Sequence, residues 1–209
     1  MSMLARLARE ERAATAAEFA LVLPLLLIFL FGMLDVGRFM WEYNEAEKAT
    51  QMGARYAVVT DPVLTNLSTY SFAETGEVAA GTAVDSTYFD HSYCTTTTTS
   101  ANASCTCSSS TGGFCNAAST NATAFGNIVT RMSAIDPLIQ ANEVEVDYKN
   151  VNLGFAGDPN GPDVSPLVTV KLNNLTFQPL TTLLFGASFN MPTISASLTG
   201  EDLSGTTGN

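Results

Sequence analysis

Two sets of side chains in this sequence are equipped for chemistry. Glu18 is the one carboxylate inside an otherwise uncharged run from Ala13 to Leu34, and Cys94, Cys105, Cys107 and Cys115 fall within 22 residues of one another, close to the single histidine, His91. A carboxylate near the start of a membrane helix is costly and usually persists because something pairs with it. The plainer reading is that it snorkels to the headgroup level. An even number of cysteines clustered in a polar segment points to two disulfides and an oxidising compartment. A Cys105–Cys107 bond would close a strained small ring, which leaves two pairings open, each joining these residues to Cys94 and Cys115.

Other chemistries find little support. The Cys and His91 spacing matches no paired C-x-x-C zinc pattern, and Cys105-Thr106-Cys107 is not a C-x-x-C beside a βαβ unit, so structural disulfides outrank a metal or redox centre. No G-x-S-x-G, H-E-x-x-H or phosphate-cradling glycine loop occurs. We therefore expect no enzyme activity, no cofactor and no metal. Gly157-Asp158-Pro159-Asn160-Gly161-Pro162-Asp163 lacks the spacing of a calcium loop and reads as a turn. The Asn-x-Ser/Thr triplets at Asn66, Asn102, Asn121 and Asn174 are expected by chance in so Ser/Thr-rich a chain.

Charge narrows the partners. Residues 1–55 carry six Lys/Arg against seven Asp/Glu and residues 56–209 three against thirteen, so nearly all of the net charge of −11 lies beyond the first helix. Such a surface repels phosphate backbones, and no basic stripe with interleaved aromatics is present, which argues against nucleic acid.

The element that must position Glu18 is a helix. A span needs about 20 mostly apolar residues, and Ala13–Leu34 is long enough. Arg6, Arg9 and Arg12 precede it, placing the N-terminus in the cytoplasm and the remainder outside. Met33 to Trp41 contains no convincing A-x-A site, so the run reads as a retained anchor rather than a discarded signal. Pro24 removes a backbone donor and is expected to kink or loosen the helix locally. Val36, Phe39, Met40, Tyr43, Ala46, Thr50, Gly53, Ala54 and Ala57 continue an apolar stripe at helical spacing, and Asp61-Pro62 stops it. A helix from about Ala14 to Val59 would be about 70 Å long.

The run Ala14-Thr15-Ala16-Ala17-Glu18-Phe19-Ala20-Leu21-Val22-Leu23-Pro24, then Phe31-Gly32-Met33-Leu34-Asp35-Val36-Gly37-Arg38 and Ala54-Arg55-Tyr56-Ala57, resembles the TadE-like family. Its members are pilin-like proteins of the Tad tight-adherence pilus system. The resemblance covers residues 13 to about 58. The segment Leu172–Leu198, with Phe177-Gln178-Pro179-Leu180 and Leu183-Leu184-Phe185-Gly186, is more loosely similar to the C-terminal part of such proteins. The resemblance implies a cut by a membrane prepilin peptidase between Ala13 and Ala14, ahead of Glu18-Phe19, with Ala13 standing where pilins usually carry glycine. It also implies helix packing at Pro24, Gly32 and Gly37. The freed Ala14 amine would then face Glu18 of a neighbouring subunit, neutralising both charges.

Beyond the first helix, 92–123 reads as a disulfide-tied surface loop and 124–139 as an amphipathic helix interrupted near Pro137. Strands are expected at 144–148, 151–155, 166–172 and 194–198. The fold class is α+β: a long N-terminal transmembrane helix packed on an antiparallel sheet, pilin-like, with a disulfide-tied loop. We divide the chain into a basic leader (1–13), a transmembrane and extended helix (14–59), an irregular polar Cys-containing region (60–123) and a helix-plus-strand exported domain (124–209). The expected function is a minor pilin-like component assisting assembly of a Tad/Flp-type pilus used in adhesion. The alternatives are a membrane-tethered adhesive or binding domain and, more remotely, a periplasmic redox or metal-binding module. Expected partners are other pilin-like subunits, the Tad assembly platform, prepilin peptidase and the bacterial inner membrane, crossed once, with the C-terminal domain periplasmic or on the cell surface.

Overall fold

A computed structural model describes residues 11–109, 113–182, 186, 188–200 and 202–205, with side chains described from Thr15 onward. The first helix, α1, runs from Glu11 to Val58 without interruption, with Pro24 inside it. Leu, Ala, Met and Glu dominate it and only Gly32, Gly37 and Gly53 dilute its propensity, so nothing ends it before Asp61-Pro62. The expected helix is thus present, with bounds shifted slightly.

Two compact units divide the chain: Met1–Glu42 with Thr176–Phe189, and Tyr43–Leu175 with Asn190–Asn209. The second is built on a five-stranded antiparallel sheet in the order β2-β1-β3-β4-β7. Its strands are β1 (His91–Thr95), β2 (Ser104–Ser108), β3 (Val144–Lys149), β4 (Leu167–Leu172) and β7 (Ile194–Thr199). A separate two-stranded ribbon pairs β5 (Thr176–Phe177) with β6 (Phe189–Asn190). The described residues also include α2 (Phe114–Ala117), α3 (Ala122–Ser133) and a 3-10 turn at Ala141–Glu143.

The central strands follow from alternation. Val144, Val146 and Tyr148 on β3 and Val168, Val170 and Leu172 on β4 are all buried, and the antiparallel register sets Val146 opposite Val170 and Tyr148 opposite Val168. On the opposite face Lys171 reaches Glu145 at 2.8 Å and Asp147 at 3.1 Å. The final turns of α1 bury Ala46, Ala49, Thr50, Gly53, Ala54 and Ala57. A Cβ on Gly53 would lie 2.7 Å from the Met132 sulfur of α3 and 3.5 Å from Val170 Cγ1 of β4, so any side chain there must displace the Met132 side chain. The Tyr148 hydroxyl, fully buried, accepts the Val63 N–H at 2.9 Å just after α1 ends.

Several expectations need correction. Val36 and Met40 are exposed, so the buried stripe of the second unit begins only at Ala46. The segment 92–123 is disulfide-tied, but it holds two strands and the short helix α2 rather than loop throughout: β1 pairs with both β2 and β3, and Ser92 and Cys94 are buried. Strand pairing draws on backbone groups, which polar side chains supply as well as apolar ones. The 151–155 strand is absent because Asn152 (φ 57°) and Gly154 (φ 88°) turn the backbone into the left-handed region. Helix α3 begins two residues earlier than expected, where the Asn121 side chain caps it by accepting the Ala124 N–H, and it stops before Asp136-Pro137.

Candidate functional site

The first unit contains the features that the sequence marks as functional. From Phe19 to Leu34 the side chains of α1 are largely exposed, Leu25 by 72 %, and Val22, Leu25, Leu26, Ile28 and Phe29 line a shallow apolar concavity. The helix is long and apolar enough to cross a membrane. So large a contiguous apolar surface is untenable in water and calls for lipid or other helices. Glu18 is exposed one residue before this surface begins. The helical backbone includes Ala13 and Ala14. An added Cβ at Gly32 or at Gly37 would meet nothing within 4 Å, so the described residues of this chain leave both positions open.

Where the apolar run ends, α1 carries a polar collar that the sequence reading missed. Asp35 is only 7 % exposed. Its carboxylate accepts the Leu180 N–H at 2.5 Å, the Thr181 N–H at 2.9 Å and the Thr181 hydroxyl at 2.8 Å. Arg38, three residues on and therefore on the same helix face, approaches Asp35 at 4.0 Å and Glu42 at 3.1 Å and donates to the Gln178 carbonyl at 3.4 Å. Its guanidinium lies 5.5 Å from the centre of the Phe177 ring, which meets Phe39 edge-on at 5.4 Å. The signal available beforehand was the Asp35-x-x-Arg38-x-x-x-Glu42 spacing, which sets three charges on one side of a helix. By itself that spacing marks Asp35 only as a charge at the end of the span, because its partners lie some 145 residues away.

Residues 13–55 match the family model described as TadE-like protein. The chain has a TadE-like N-terminal segment. That segment contains Glu18, Pro24, Gly32, Asp35, Gly37 and Arg38, and it closes at Arg55, inside α1. The looser C-terminal likeness, including Leu172–Leu198, lies outside the match. No curated protein and no solved structure matches the chain.

Outside the TadE-like segment, the four cysteines form Cys94–Cys105 and Cys107–Cys115, one of the two pairings left open. Cys94 and Cys105 are cross-strand neighbours on β1 and β2 with Cα atoms 4.0 Å apart, and Cys107–Cys115 ties β2 to α2. The thiols are thereby consumed in covalent bonds. His91 Nδ1 sits 3.2 Å from Asp90 Oδ2. Among the described residues no group of three His, Cys, Asp or Glu is placed to hold a metal. The 157–163 segment is a turn whose carboxylates are occupied by backbone: Asp163 accepts from Gly157 and Phe72, and Asp158 from Asn160. Leu183, Leu184 and Phe185 lie outside the described residues.

Proposed function

We propose that this chain is a minor pilin-like component, a pseudopilin, that assists assembly of a Tad/Flp-type surface pilus used in adhesion. The observation that carries this reading is the coincidence of the TadE-like match with an exposed apolar helix that bears Glu18 at its start. In this account α1 crosses the inner membrane once, with its N-terminus in the cytoplasm and the sheet domain on the outside. Prepilin peptidase cuts between Ala13 and Ala14 and leaves a cationic amine on Ala14. Glu18 of an adjacent pilin-like subunit neutralises that amine, so neither charge is stranded in a medium where ions are poorly solvated.

The ion pair sets the axial register between helices, and the open positions at Gly32 and Gly37, on different sides of the helix, leave room for close packing. The assembly platform would receive the helix from the bilayer. The disulfide-braced domain, oxidised in keeping with an extracytoplasmic location, is what such a component presents outward.

Glu18→Ala separates this reading from a simple tether. We expect the variant to remain in the membrane fraction while disappearing from sheared pili and reducing piliation. Unchanged piliation, with the wild-type chain itself absent from sheared pili, would instead favour a membrane-tethered binding domain.

A further inference from the structure

We propose that Leu180, latched to Asp35, and Phe189, on the β6 strand paired with β5, form a second membrane contact in the headgroup region of the bilayer that α1 crosses. The inference rests on reading residues 15–34 as the span.

Its geometry is simple. Asp35 is the residue after Leu34, where the apolar run ends, and it holds the backbone N–H groups of Leu180 and Thr181 directly. Whatever depth the end of the span takes, Leu180 takes the same depth to within about one helical turn, or ~5 Å. That level is the boundary between acyl chains and headgroups.

The side chains at this level suit that boundary. The polar atoms turn inward: the Asp35 carboxylate has three donors, and Arg38 faces Asp35, Glu42 and the Gln178 carbonyl. The apolar groups turn outward. Leu180 is 43 % exposed although its own N–H is fixed, and Phe189 is 57 % exposed on β6, beside the β5 strand whose Phe177 ring rests on Phe39. Trp41, the single tryptophan, is 71 % exposed less than two turns above Asp35, as expected of an aromatic belt.

Lipid fits better than a neighbouring helix. Close helix packing uses small-residue faces, whereas this segment offers separated large side chains flanked by Gln178, Thr181 and Thr182. The contact would brace the helix at the point where it leaves the membrane and so restrict its tilt.

The test uses the full chain in phosphatidylcholine–phosphatidylglycerol vesicles containing lipids brominated at shallow or deep acyl positions. In a Trp41→Phe background, Leu180→Trp reads the loop, Phe189→Trp repeats that reading, and Leu25→Trp reads the span. We expect the Leu180→Trp indole to emit to the blue and to lose most intensity to shallow bromines, and the Leu25→Trp indole to lose most to deep ones. Red, unquenched emission from Leu180→Trp and Phe189→Trp with Leu25→Trp still quenched would overturn the second contact alone. Blue but unquenched emission at 180 would also overturn it, assigning the loop to a protein partner such as a second copy. Failure of quenching at Leu25→Trp would overturn the span reading and the loop contact together.

Discussion

The Asp35 carboxylate receives both the backbone N–H and the hydroxyl of Thr181, at 2.9 and 2.8 Å, across 146 residues of chain. Asp35→Ala leaves those part-buried donors without their acceptor and weakens the hold on the local structure. The expected outcome is selective loosening of residues 176–182, seen as faster amide exchange there, with exchange in β3 and β4 unchanged. Uniform exchange rates in variant and wild type would show that the latch does not hold this segment.

Gly53 is the contact point of α1 with α3 and β4. Gly53→Leu must displace Met132, which is itself fully buried, and overpacking of this kind costs about 1–3 kcal/mol. We expect a lower urea midpoint for the detergent-solubilised chain. Gly53→Ala should cost less, because helix propensity offsets part of the clash.

The two disulfides brace the edge hairpin. Removing Cys94–Cys105 by the paired Cys94→Ala and Cys105→Ala substitutions should destabilise the sheet domain by roughly 2–4 kcal/mol. The effect should be visible as a lower thermal midpoint that reductant no longer moves to the wild-type extent.

Asp136 and Glu143 give the sheet domain an unusual acid limb. Burial raises the Asp136 carboxyl above its ordinary value, the Leu138 N–H pulls it partly back, and the Glu45 charge pushes it up further. Burial likewise raises Glu143, opposed by the Gln140 N–H and helped by the Asp136 charge. A carboxyl whose folded pKa exceeds its unfolded value contributes stability that is complete below the unfolded pKa and is lost as pH rises through the folded one. These two groups therefore favour the fold as pH falls from neutrality toward about 4. Asp136→Asn keeps an acceptor for the Leu138 N–H and removes the charge. It should match or exceed wild-type stability at pH 7, with the difference shrinking near pH 4. A deficit that stays the same at both pH values would contradict this assignment.

Much of the fold is legible from local pattern, because periodicity reports burial directly. The unbroken α1, the alternating β3, β4 and β7, and the 157–163 turn are all of this kind. What escapes is set by distant partners. Strands β1 and β2 are Ser-, Thr- and Cys-rich; β1 becomes a strand because β3 offers it a paired edge, and β2 because β1 in turn does. Asn152 leaves the β region although the surrounding alternation favours a strand. In the candidate site, Glu18 and the glycines stand out as anomalies against an apolar run, whereas Asp35 looks like an ordinary flanking charge. Its role depends on Leu180 and Thr181, which no local pattern connects to it.

The central claim is that this helix is a processed pilin-like helix and not merely an anchor. Intact-mass and N-terminal peptide measurement of the chain, co-expressed with a prepilin peptidase, tests it most directly. The account predicts a mature protein beginning at Ala14, formed only when the peptidase is active. A chain that keeps its leader under those conditions would contradict it, since Glu18 would then have no subunit amine to neutralise.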